Sequence, residues 1–114
     1  MEPFELARSI VETLEDKKGE DILLLDLTEL APLSDYFVIC SGSSERTLKG
    51  LVGAVVEETR VSFDLKPRLE GTPREGWLLA DYGSVVVHVF SNAQREYYQL
   101  EELWSDAKVL LHVQ

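Results

Sequence analysis

Trp77-Leu78-Leu79-Ala80-Asp81-Tyr82, then Gly83-Ser84, then Val85-Val86-Val87-His88-Val89-Phe90 is the stretch that decides the fold. Two runs rich in aliphatic and aromatic residues flank a glycine-containing pair, the pattern of a β-hairpin with a two-residue loop. Side chains alternate across a strand, so the loop fixes the register. Trp77 then faces Phe90, Leu79 faces His88 and Asp81 faces Val86 on one side, while Leu78, Ala80, Tyr82, Val85, Val87 and Val89 take the other. Both sides are rich in large apolar residues, whereas a hairpin wetted on one side alternates to polar ones. Either another layer or a partner covers the side carrying Trp77, and the pattern leaves both open.

Upstream of the hairpin, Pro3 suits a first helical turn, and Phe4, Ala7, Ile10, Val11 and Leu14 mark one helical face that Lys17-Lys18-Gly19 closes. Asp21 to Leu27 reads as a strand covered on both faces, and Tyr36 to Cys40 as a second strand after the break at Ala31-Pro32-Leu33-Ser34. The serines of Ser41-Gly42-Ser43-Ser44 offer caps for a helix with Leu48, Leu51, Val52, Val55 and Val56 inward, in which Gly50 and Gly53 permit close packing on the sheet. A short edge strand is expected near Arg68 to Glu70. Past the hairpin, Ser91-Asn92 caps a last helix carrying Tyr97, Tyr98, Leu100, Leu103 and Trp104. The expected order is α-β-β-α-β-β-β-α: a mixed five-stranded sheet packed with helices, of the α+β or mixed α/β class, in one domain spanning 1–114 with 107–114 a short C-terminal tail.

The 114 residues suffice for one hydrophobic core, and 45% hydrophobic with 28% charged residues is a globular balance. The net charge of −10 opposes a phosphate backbone, so direct nucleic-acid binding is disfavoured and a basic partner favoured. The acidity is concentrated in residues 1–35, with ten acids against three bases. Cys40 is the only cysteine, which excludes an internal disulfide and reads as a buried apolar residue in a reducing compartment. No stretch is long enough to span a bilayer, and the acidic Met1-Glu2-Pro3-Phe4-Glu5 start lacks the basic region of an export signal.

Chemistry finds little purchase. The Ser41 to Ser44 turn opens a helix, yet it lacks the lysine of a phosphate-binding loop, and Glu45 occupies the place of an anion. It stands as the alternative reading, a nucleotide-binding or nucleotidyltransferase-like enzyme. Asp21 and Asp26 fall on opposite faces of a strand and read as solvent-facing acids, and His88 and His112 lack ligand spacing, so neither metal nor cofactor is expected. His88 and Asp81 are diagonal neighbours within reach of an ion pair, but no nucleophile stands beside the imidazole. An interface or structural histidine is the better reading, and no catalytic residue is assigned.

At Asp35-Tyr36-Phe37-Val38-Ile39-Cys40-Ser41-Gly42, at Gly76 to Phe90, and through Arg95-Glu96-Tyr97-Tyr98-Gln99-Leu100-Glu101-Glu102-Leu103-Trp104, the chain resembles the Iojap or ribosomal silencing factor (RsfS) family. The resemblance covers nearly the whole length in order. It implies a fold similar to nucleotidyltransferases without their chemistry, and a translational repressor in the bacterial cytoplasm. Such a repressor binds the large ribosomal subunit through ribosomal protein fourteen and sterically blocks joining of the small subunit. It places the interaction surface on Trp77, Leu79, Asp81, His88 and Phe90, with Tyr82, Tyr97 and Tyr98 nearby. Trp77 and Phe90 are read as apolar anchors and Asp81 as acceptor for a basic residue. A homodimer that covers the same face when free is a further expectation. Thr47 and Cys40 depart from the common family residues, both outside that surface, and no carboxylate pair of a nucleotidyltransferase follows Gly42-Ser43.

Overall fold

The computed structural model of the chain describes residues 2–30, 34–99, 102 and 107–113. Helix α1 (Pro3–Asp16) starts on its proline and buries Leu6, Ala7, Ile10, Val11 and Leu14. Phe4, expected on that face, remains 36% exposed and meets the Tyr36 ring edge-on at 5.9 Å. Strands β1 (Glu20–Asp26) and β2 (Tyr36–Gly42) follow, then α2 (Glu45–Phe63), whose cap is Ser44: its hydroxyl accepts from the Thr47 amide at 3.1 Å. The chain continues through β3 (Arg68–Thr72), a 3₁₀ turn (Pro73–Glu75), β4 (Trp77–Asp81), β5 (Val85–Ser91), α3 (Asn92–Tyr98) and β6 (Lys108–Val113).

The fold is mixed α+β, with the six strands in the order β3-β4-β5-β2-β1-β6. Only β2 and β5 run parallel; the other neighbouring pairs are antiparallel. The five-strand expectation is therefore corrected to six: Lys108–Val113 is no tail but an edge strand paired to β1, from Asp26↔Lys108 to Ile22↔Val113. Its run of Val109, Leu110 and Leu111 fits a strand, and β1 presents the open edge that satisfies its backbone. Helix α3 is capped at Gln99, which turns left-handed at φ 46°, and Glu102 beyond it is again helical. Leu100, Leu103 and Trp104, like Ala31 to Leu33, lie outside the described residues.

Period-two alternation divides the core in two. Both long helices cover one sheet face, where Ile22, Leu24, Val38, Cys40, Ala80, Val85, Val87 and Val89 meet Leu6, Ile10, Leu14, Leu48, Leu51 and Val55. The opposite face gathers Leu23, Leu25, Leu27, Ile39 and Phe90, with Phe37, Trp77 and Ala107 packed against them. Gly50 and Gly53 do not press on the sheet as expected: both are exposed, and a Cβ added at either meets nothing within 4 Å. Glycine there only lowers helix propensity. Gly53→Ala is expected to raise stability by about 0.5–1 kcal/mol, and Ser44→Ala to lower it by about 1 kcal/mol through loss of the cap. Urea midpoints shifting in those opposite senses at unchanged slope are the check.

Candidate functional site

The hairpin holds the register its sequence dictates: Trp77↔Phe90, Leu79↔His88 and Asp81↔Val86. Beside it the parallel strand β2 sets Ile39 against His88 and Phe37 against Val86. Three strands thus converge on one aromatic cluster. The His88 ring lies 4.8 Å from Phe37, 6.0 Å from Phe90 and 6.4 Å from Trp77, and the Trp77 and Phe90 rings stack 6.1 Å apart. Phe90 and His88 are buried, at 2% and 6% exposure, whereas Phe37, Trp77, Leu79 and Asp81 are half-buried. The cluster therefore has an inner tier, Phe90 with His88, and an outer tier that begins at Trp77 and Leu79.

The remaining sequence-selected residues separate. Tyr82 points to the helix side, where its hydroxyl shares a 2.7 Å hydrogen bond with Thr59, itself bonded back to the Val55 carbonyl. Burial pushes that phenol upward in pKa. Tyr97 on α3 is exposed, and the side chain of Tyr98 lies outside the described residues. The carboxylate of Asp81 does not reach the imidazole of His88. Its Oδ1 accepts from the Gly83 amide at 2.7 Å and its Oδ2 from Arg68 Nη2 at 3.3 Å, which turns it toward the hairpin tip.

Sequence reasoning missed Arg95. This buried guanidinium donates through Nη1 to the Asp21 carbonyl and, at 3.0 Å, to Ser41 Oγ, while Nη2 stands 3.4 Å from Asp21 Oδ2. The other oxygen of Asp21 contacts His112 Nε2 at 2.6 Å. Asp21 faces solvent at the strand end as expected, with its side chain 53% exposed, but its backbone sits at φ 49° and its carboxylate also links α3 to β6. The carboxylate side of this pair is more than half exposed, so solvent screens it, while the guanidinium is buried. An amphipathic helix carrying one arginine gives no sequence signal for this, since burial of that charge depends on partners 54 and 74 residues away.

The Ser41 to Ser44 turn is occupied by structure, with Ser41 bonded to Arg95 and Ser44 capping α2. Burial pushes the Cys40 thiol up to about 12, so it is neutral at physiological pH. Among the described residues no three His, Cys, Asp or Glu side chains gather to hold a metal, and no helix is long and apolar enough to cross a membrane.

Burial also governs His88. Neither ring nitrogen has a hydrogen-bond partner among the described residues, and desolvation lowers its pKa from 6.5 to about 4, against an opposing pull from Asp81. A folded-state pKa below the unfolded value means that the native form binds fewer protons. Its stabilising effect is complete above pH 6.5 and is lost as pH falls toward 4. The wild type should lose about 3 kcal/mol across that window through this group. His88→Leu should remove that share of the acid slope, as read from urea unfolding at pH 7, 6, 5 and 4.5.

Comparison with known proteins identifies the family. The family model described as "Ribosomal silencing factor during starvation" matches residues 1–114. A ribosomal silencing factor of Bacillus subtilis is 39% identical over 93 residues, which cover 82% of this chain and 79% of that protein. A mouse protein named for mitochondrial assembly of the ribosomal large subunit is 33% identical over 99 residues, covering 84% of this chain and 43% of its own. A crystal structure from Chromobacterium violaceum superposes with a TM-score of 0.87 at 37% identity, covering 92% of this chain and 88% of that one. A match across the whole sequence, supported by shared fold and by identity above 30%, makes this chain a member of the ribosomal silencing factor family.

Proposed function

We propose that this protein represses translation without catalysis, by docking the outer tier of its aromatic face onto the large ribosomal subunit through ribosomal protein fourteen. The bound domain then blocks approach of the small subunit. The observation that carries the reading is the two-tier cluster. Trp77 and Leu79 are half-buried apolar groups standing on a fixed base of Phe90 and His88. A preorganised aromatic loses little rotamer freedom on docking, which is the property of an interface hot spot. The name of the mouse relative, which refers to assembly of the ribosomal large subunit, points to the same partner class.

Charge supports the direction of the encounter. A chain of net charge −10 is drawn toward a basic protein and held away from bare RNA, which favours a protein-mediated foothold on the subunit. Occlusion fits the scale: the domain measures about 33 × 33 × 24 Å, enough to fill an intersubunit contact. Catalysis is disfavoured by the same residues that once invited it. His88 is neutral and enclosed, and the Ser41 hydroxyl serves Arg95. Phe90 and His88, read from the sequence as contact residues, act here from beneath, and Tyr82 from the far side of the sheet.

Trp77→Ala should weaken co-sedimentation with purified large subunits by at least about 30-fold, the equivalent of about 2 kcal/mol. Tyr82→Phe, on the helix side, should bind like the wild type. Unchanged binding by Trp77→Ala would remove the proposed surface.

A further inference from the structure

The edge strand β3 is exposed at every residue from Arg68 to Thr72, and among the described residues no strand pairs with its outer side. The hairpin dictates how its backbone alternates. The Tyr82 amide donates to the Val85 carbonyl at 2.9 Å, so Tyr82 and Ala80 turn their backbone groups to β5, and Asp81 and Leu79 turn theirs to β3. Arg68 and Glu70 stand opposite Asp81 and Leu79 and answer them, which leaves the amide and carbonyl of Leu69 facing outward. The Leu69 side chain, opposite Ala80, lies on the helix side of the sheet and is 55% exposed. There it borders an apolar groove of about 440 Å³ with Val52, Gly53, Val56, Pro73 and Leu78. The α2 wall of the groove is bare at Gly53, where an added Cβ meets nothing within 4 Å. An open strand edge beside an open apolar groove is a surface that a further strand covers well.

We infer that a second copy of this chain covers both, through antiparallel pairing of β3 with the partner's β3 about a two-fold axis at Leu69. Leu69 then exchanges amide and carbonyl with its own counterpart, and the two leucine side chains meet over the two grooves. Charge selects this register. Arg68 and Glu70 flank Leu69 and lie on the other face of the sheet, so the axis sets each Arg68 opposite the partner's Glu70. Centring the pairing on Arg68 or on Glu70 would oppose like charges instead. The rim of the groove repeats the pattern: Lys49 and Glu57 flank Gly53 at equal spacing along α2, and the same axis turns the Lys49 end of one copy toward the Glu57 end of the other. A chain of net charge −10 repels its copy at long range, so association requires such a locally balanced, self-complementary patch. Within one copy Arg68 stands 3.5 Å from Glu70 and 3.3 Å from Asp81, ion pairs of an exposed guanidinium that solvent screens and that a neighbour can exchange. The pairing extends the sheet sideways, and so differs from the expected dimer that covers the aromatic face.

The test is sedimentation equilibrium of the full chain over a concentration series, with circular dichroism to verify folding. Arg68, Leu69 and Glu70 are exposed, so their variants should fold. The wild type should dimerise, and Leu69→Lys, Arg68→Glu and Glu70→Arg, each alone, should raise the dimer dissociation constant at least about tenfold. An equimolar mixture of the Arg68→Glu and Glu70→Arg chains should dimerise within about threefold of the wild type, because opposite charges again meet across the axis. A mixture no stronger than its components overturns the inference. A wild type that stays monomeric up to about 0.1 mM overturns it as well, and leaves the edge to a different polypeptide. A dimer that withstands Leu69→Lys but is lost on Trp77→Ala overturns it in favour of the aromatic face.

Discussion

Everything in this molecule hangs on the parallel ladder between β2 and β5, which runs unbroken from Tyr36↔Val85 to Gly42↔Ser91. On one side of it lies the antiparallel set β2-β1-β6, on the other β5-β4-β3, and among the described residues no other strand pairing joins the two. A parallel pair cannot be closed by a tight turn, so the chain must travel through α2 and the β3–β4 hairpin before it returns. That detour lays α2 on the same sheet face as α1 and leaves the opposite face to the aromatic cluster. Because each half supplies part of both cores, neither has a complete hydrophobic interior without the other.

The two faces of the sheet differ in what they enclose. The helix side is a conventional packed core of aliphatic residues with few polar groups, among them the hydrogen-bonded Thr59. The other side accepts a penalty, since an enclosed imidazole with neither nitrogen satisfied by the described residues costs about 1–3 kcal/mol. What the protein obtains is a stiff platform in which Phe37, His88, Trp77 and Phe90 fix one another. Arg95 and Asp21 tie α3 to the far end of the sheet, so the helix that carries Gln94 to the edge of this platform is anchored by a buried charge.

Much of this was legible in the sequence where the signal is local. Period-two alternation and a two-residue loop sufficed to place Trp77 opposite Phe90, and Ser44 could be read as a cap from its position ahead of an apolar helical face. Reading failed where the deciding partner is distant. Nothing near Lys108 says that the open edge of β1 awaits it, and nothing near Arg95 names Asp21 and Ser41. The hairpin register correctly made Asp81 a diagonal neighbour of His88, but not its partner, because Gly83 and Arg68 compete for the same carboxylate at closer range. Which hairpin residues lie deep and which stand outward was likewise invisible, since alternation assigns a side and not a depth. Periodicity left that side open between an inner layer and a docking site, and only the family resemblance implies the second.

The enclosure of His88 has a consequence for the charge of the aromatic face. With its pKa held near 4, the imidazole keeps one charge state throughout the range of pH in which ribosomes operate. The imidazole at the centre of the aromatic cluster therefore adds no charge to this face across that range.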